Sequence, residues 1–179
     1  MRWMLASLAL LASTARAAVP GYDFAEALAY RVNNPGGDAA TGLQLDGSYD
    51  VGQGFYVEGT ASDVHDDAGG GVNIQKLLAG PGFRAHTAIV DVFLSVDYLH
   101  TDSSAAGSGD GYRWVWGLRS AFTDRLELNT GVERSSVGQT ETGVRFGESY
   151  RFTDALTFRA QYIHFHDGHN WVMGLRYIY

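Results

Sequence analysis

Asn170-Trp171-Val172-Met173-Gly174-Leu175-Arg176-Tyr177-Ile178-Tyr179 is the stretch on which the reading of this chain turns. Every second residue, Trp171, Met173, Leu175, Tyr177 and Tyr179, is large and apolar or aromatic, while Asn170, Val172, Gly174, Arg176 and Ile178 occupy the positions between. A period of two sends successive side chains to opposite faces of an extended strand, so this stretch has one greasy face and one mixed face. The same parity recurs upstream. Tyr112, Trp114, Trp116, Leu118 and Phe122 oppose Arg113, Val115, Gly117, Arg119 and Ala121; Val90, Val92, Leu94, Val96 and Tyr98 oppose Asp91, Phe93, Ser95, Asp97 and Leu99; Val144, Phe146, Tyr150 and Phe152 oppose Gly143, Arg145, Gly147, Ser149 and Arg151.

Working outward, alternating segments recur about every 16 residues from Tyr22 onward, and no stretch sustains a helical period. Ten strands are expected, beginning near Tyr22, Thr41, Gly54, Val72, Ala88, Tyr112, Leu126, Thr142, Leu156 and Asn170. Each is roughly nine to twelve residues long, enough for a tilted strand to cross a bilayer. Eight strands is the alternative if two weak segments are loops. Connections alternate in length. Val51-Gly52-Gln53, Arg84-Ala85-His86, Thr123-Asp124-Arg125 and Thr153-Asp154-Ala155 read as tight turns, two of them inside a repeat, Phe122-Thr123-Asp124-Arg125-Leu126 and Phe152-Thr153-Asp154-Ala155-Leu156. Residues 33–38, 64–71 and 101–111, rich in Gly, Asp, Ser and Asn, read as loops.

Parity alone does not choose the solvent, but composition does. The chain has 179 residues, 45% hydrophobic, with a formal charge of −7, a single Lys at position 76 and no Cys. The acidic balance argues against nucleic-acid binding, and the lack of Cys removes disulfides and thiol chemistry. Mean hydropathy is −0.13 and no internal apolar run of helical-span length occurs, so any membrane span must be β. The charged face holds too many ions for a dry core, where each unpaired charge costs several kcal/mol. Aromatic rings gather near strand ends, as at a bilayer interface, and Gly117, Gly143, Gly147 and Gly174 fall on the charged face. An all-β, antiparallel up-and-down transmembrane barrel is therefore expected, with a secreted β-sandwich or lipocalin-like cup as the competing reading. Glu148 is the poorest fit, since it falls on the greasy face, and Pro81 removes one ladder donor from the fourth strand.

Residues 1–17 read as a cleaved secretory signal peptide: Arg2 ahead of an apolar core from Met4 to Ala12, then Ala15-Arg16-Ala17. Residues 18–179 are then the barrel domain, made more acidic still by losing Arg2 and Arg16.

An alternating final strand ending on an aromatic residue resembles the signal by which the outer-membrane insertion machinery recognises its clients. On that strand and the overall pattern, the chain resembles the small OmpA/OmpX-like outer-membrane β-barrels of Gram-negative bacteria. The resemblance implies outer-membrane location, both termini in the periplasm, lipid and lipopolysaccharide as surroundings, and no particular activity.

The charged face offers Asp91 and Asp97, Arg113 and Arg119, Glu127 and Glu133, and Arg145 and Arg151 on four successive strands, opposite in sign from one to the next. Cross-strand pairing is expected, with Glu26, Glu58, Lys76, Arg159 and Arg176 extending the network. The expected role is non-enzymatic, structural or surface-interacting, with a mostly closed, charge-paired lumen and an unidentified surface ligand at the acidic loops. A narrow channel is the alternative, and a lipid- or peptide-modifying enzyme stands third. His65, His100, His164, His166 and His169, with Asp63, Asp66, Asp67, Asp102, Asp110 and Asp167, are weak metal candidates because no metal-ligand spacing is present; solvated rim residues are the preferred reading, and no cofactor is expected. Ser135 has no visible base, and Gly69-Gly70-Gly71 lacks the helix and Lys of a phosphate cradle. Arg134, on the greasy face, could meet a lipopolysaccharide phosphate.

Overall fold

The structure, a computed structural model, describes residues 22–33, 39–66, 72–87 and 90–179. The expected leader, the stretch 34–38, and Asp67 with Gly69-Gly70-Gly71 lie outside the described residues. Ten strands follow one another: β1 (Phe24–Asn33), β2 (Ala39–Gly52), β3 (Phe55–Asp66), β4 (Asn73–His86), β5 (Asp91–Ser103), β6 (Gly107–Ala121), β7 (Leu126–Val137), β8 (Gln139–Arg151), β9 (Leu156–Phe165) and β10 (Gly168–Ile178). Each pairs antiparallel with its neighbours in sequence, and β1 pairs with β10 from Phe24 opposite Ile178 to Asn33 opposite His169. The result is a closed up-and-down transmembrane barrel with no free sheet edge, and eight strands would not account for these ladders.

The alternation points the sheet as its residues demand. Leu94, Trp116 and Leu175 face outward, nearly half exposed, whereas Asp91 and Asp97 are 1% exposed on the inside. Outward aliphatic side chains such as Leu45, Leu77, Leu118 and Val144 form a band. Aromatic residues flank it on both sides: Phe55 against Phe83 and Tyr150 against Phe152 at one end, and Tyr162 against Trp171 at the other. Such a belt matches hydrocarbon between two interfaces. Glu148 lies outward, two residues from Tyr150 and between Leu128 and Ala160 in the ladders.

The end holding the start of β1 and the finish of β10 is called here the terminal end. Its turns have local causes. Thr123 Oγ1 accepts from the Leu126 amide at 2.9 Å and Thr153 Oγ1 from the Leu156 amide at 3.0 Å, so the repeated Thr-Asp pair builds one turn twice. Thr87 Oγ1 accepts from the Val90 amide at 3.1 Å, which moves the expected Arg84-Ala85-His86 turn outward, because β4 continues through those three residues. At the opposite, loop end, the loop expected over 101–111 is mostly strand: β5 runs to Ser103, β6 starts at Gly107, and His100 stands opposite Asp110. Glycine in that segment reads as loop chemistry, yet a Cβ on Gly111 would lie 1.7 Å from the Ser136 carbonyl oxygen. Close approach of β7, not flexibility, requires it. The connections after β7 and β9 are also short, being Gly138 alone and residues 166–167.

Inward glycines set the strand spacing elsewhere. A Cβ on Gly80 would sit 2.0 Å from the Val96 carbonyl oxygen, against backbone that cannot give way. Gly80→Val is expected to destabilise the barrel by about 3 kcal/mol or to block folding. Leu94→Arg, on the lipid face, is expected to cost about 2–4 kcal/mol if it lies near the bilayer midplane. Urea titration of the protein in lipid vesicles, followed by the heat-modifiable gel shift, measures both; an unchanged midpoint for Leu94→Arg would mean that this face does not meet hydrocarbon.

Candidate functional site

The interior holds three cavities, and its chemistry changes along the axis. At the terminal end the ions are tightly paired. Glu26, with its carboxylate wholly buried, accepts from Arg176 Nε at 2.9 Å and from Arg159 Nη1, and Arg159 also approaches Asp46 at 3.7 Å. Arg119 Nε donates to Glu127 at 2.6 Å, and Arg84 pairs with Asp50. At mid-depth Arg113 bonds Asp97 through Nε and Nη2 at 2.9 and 2.7 Å and reaches Glu58 at 3.4 Å. Arg145 lies 3.6 Å from Glu133.

Most of these contacts join strands of opposite sign, but three residues depart from the pattern expected of their positions, Lys76 among them, which faces the lumen and makes no ion pair among the described residues. Asp91 takes His86 across the β4–β5 turn, although Arg119 stands opposite it in the ladder. Arg151 makes no ion pair among the described residues and lines a cavity of about 20 Å³ beside Arg119, Glu127 and Arg176.

Tyr22 is a residue that alternation misreads. It is expected as the first residue of a strand, yet it precedes β1 and is buried inside the terminal mouth. Its ring lies 4.8 Å from that of Tyr56, with the guanidinium groups of Arg84 and Arg119 at 4.3 and 4.9 Å. A ring held by two cations and a second ring narrows that mouth.

Toward the loop end the inner face carries an apolar patch among its polar residues. Leu28, Tyr30, Val64 and Val172 form a buried cluster, joined by Val32 and Ala40. A cavity of about 470 Å³ occupies this half, and a second of about 110 Å³ lies nearer the terminal end. Both are lined by Gln44, Thr60, Arg113 and Arg145, and the second meets the small third one at Arg119, Glu127 and Arg176. Three spaces therefore stand in series, divided by arginine-containing constrictions.

The other candidates scatter. His164 faces outward beside Tyr162, their ring centroids 6.3 Å apart, while Ser135 lines the large cavity on the opposite face of the sheet. The two do not form a catalytic pair. His166 lies at the rim 3.7 Å from Asp167, and no group of three His, Asp or Glu among the described residues is placed to hold a metal ion. Beyond the loop-end aromatic belt, the Tyr98 hydroxyl donates to Asp110 at 2.5 Å and His100 Nδ1 lies 2.7 Å from the same oxygen, which together hold the Asp110 carboxyl below its ordinary pKa. Arg134 is exposed on the outer face.

Glu26→Gln leaves Arg176 and Arg159 facing a neutral amide in a buried site. An expected loss of about 3 kcal/mol, by analogy with other broken buried pairs, would appear as a lower urea midpoint in detergent micelles. Arg134→Gln, on the exterior, should leave that midpoint within about 0.5 kcal/mol.

Solved structures share this fold. The KdgM porin superposes with a TM-score of 0.53 at 9% identity, over 87% of this chain and 99% of that one. An outer membrane channel from Pseudomonas putida F1 gives 0.55 at 11% identity, over 91% and 97% of the two chains. The KdgM porin in complex with disordered oligogalacturonate gives 0.52 at 9% identity, over 87% and 99%. At such identities the likeness is one of fold. No protein-family model and no curated protein matches the sequence.

Proposed function

We propose that this protein is a narrow, non-enzymatic channel of the Gram-negative outer membrane, with its loop end at the cell surface and both termini in the periplasm. The observation that carries this reading is the series of three cavities, of about 470, 110 and 20 Å³, each sharing lining residues with the next. Eight strands enclose a lumen that side chains just fill, and ten leave slightly more room. Solved barrels of similar fold include a porin and an outer membrane channel, which supports the location and the class of activity. The closing strand and the even strand number also agree with the OmpA/OmpX-like resemblance, the usual arrangement being short periplasmic turns and outward loops. Outer-membrane lipid and lipopolysaccharide are then the surroundings, and Trp171, Met173, Leu175, Tyr177 and Tyr179 serve both as lipid contact and as the segment read by the insertion machinery.

In this reading the ion pairs do two things. They hold the wall in register, and at Arg113 and Arg145 they narrow the path to a size that excludes large solutes. Tyr22 narrows the periplasmic mouth in the same way. The competing role, a barrel whose ion pairs only brace the wall while its acidic loop end meets a surface ligand, accounts for the pairs but gives no reason for cavities that meet in series.

Planar-bilayer recording tests the choice. The purified protein is expected to give small, discrete conductance steps, and Tyr22→Ala is expected to raise them severalfold while keeping the heat-modifiable mobility of a folded barrel. Silence from both proteins, once insertion is shown by protease protection, would leave the bracing role in place of the channel.

A further inference from the structure

The outer surface at the loop end is divided by charge. On β3, β5 and β6 its outward residues include Asp63, Asp102 and Asp110, and the histidines beside them each face an acid, His65 at 3.6 Å from Asp63 and His100 at 2.7 Å from Asp110. From β7 round to β1 the outward charged or titratable residues at that end are instead Arg134, His164, His169 and Arg31. The acids of that arc lie elsewhere: Glu141 lines the lumen, Asp167 sits at the tip of the β9–β10 turn 3.7 Å from His166, and Glu148 stands closer to the terminal end, opposite Ala160.

The ladders gather three of these four residues into one cluster. Asn33, His169 and His164 stand opposite one another across β1, β10 and β9, and two residues nearer the terminal end Arg31, Trp171 and Tyr162 are aligned in the same way. At the usual strand spacing and rise, these two rows cover an area of about 10 by 7 Å. The Tyr162 ring ties them together, its centroid 4.7 Å from that of Trp171, 5.6 Å from His169 and 6.3 Å from His164. Arg31 Nε donates to Asn33 Oδ1 at 3.3 Å, which turns the guanidinium toward the loop end, and no carboxylate lies within ion-pair distance of it among the described residues. Its terminal N–H groups and the two imidazoles are thus donors at the edge of the aromatic belt, where a bilayer passes from acyl chains to headgroups. A guanidinium gives a phosphate two parallel hydrogen bonds, and an aromatic ring receives the C–H face of a sugar. A phosphorylated glycolipid presents both groups at this height.

We propose that the β9–β10–β1 face at the loop end seats the phosphorylated sugar headgroup of lipopolysaccharide, with a phosphate on Arg31, His164 and His169 and a sugar ring against Trp171 and Tyr162. The proposal rests on the earlier reading only for the place of the loop end at the cell surface, and it gives the barrel a lipid held at one fixed position of its perimeter.

The test uses the full barrel in detergent micelles, with bound lipid counted by native mass spectrometry during titration with bisphosphorylated lipid A. Dephosphorylated lipid A and phosphatidylglycerol serve as the sugar without phosphate and the phosphate without sugar. Saturable binding of one lipid A is expected, at least tenfold tighter than either counterpart. Arg31→Gln should weaken it about tenfold, the scale of one lost charge-assisted contact. Joint replacement His164→Gln and His169→Gln should weaken it severalfold, while His100→Gln, on the acidic arc, should leave it unchanged. Equal binding of either counterpart, no saturable binding, or full binding by both cluster variants with folded mobility would each overturn the proposal. Because this readout depends neither on current nor on orientation, a barrel that conducts without retaining lipid A removes the lipid seat alone, and one that retains it while silent in bilayers removes the channel alone.

Discussion

Closure of the sheet is the constraint on which everything else depends. In hydrocarbon no water is present to satisfy a backbone amide or carbonyl, so a strand can span only if both of its edges are paired. The ladder between β1 and β10, running unbroken from Phe24 opposite Ile178 to Asn33 opposite His169, supplies the pairing that the first and last strands would otherwise lack. Once the sheet is closed, the alternation of side chains has only two destinations, lipid and lumen. Each strand then needs a single parity, and a slip of one residue would turn a row such as Val92, Leu94 and Val96 inward and Asp91 and Asp97 into lipid.

The lumen follows from the same closure. Charges placed inside a narrow barrel are partly desolvated, and they are stable there only with partners at short range. Arg113 with Asp97, Arg119 with Glu127 and the two arginines on Glu26 meet that demand. Their cost is offset by close geometry, and their effect is a lumen that is constricted without being filled. The loop half is walled in part by Val64, Leu78 and Val172, and there a cavity of about 470 Å³ persists.

Glycine serves two different purposes along the chain, which explains where residue type misleads. At Gly138, with φ of 70°, glycine makes a turn. At Gly80, Gly111 and Gly174 it lets a neighbouring strand approach to a distance that no side chain would allow. A segment such as 107–111 has the composition of a loop, but its partners on β5 and β7 hold it as strand. Nothing local separates the two cases.

Period-two alternation was enough to determine the all-β class, the ten strands, the outward face of Trp116, Leu94 and Leu175, and the inward face of the charged set, because the pleat fixes side-chain direction residue by residue. Depth along the axis was decided only by the tertiary structure. Val172, Leu99 and Arg176 share the inner parity in sequence, and the stagger between strands alone brings Val172 to Val64 in an apolar wall while Arg176 joins Glu26 in an ion-pair floor. The same holds for Tyr22 in the terminal mouth: its surroundings depend on strands distant in sequence, whose relative heights are set by the register of a closed ring and by no short stretch of the chain.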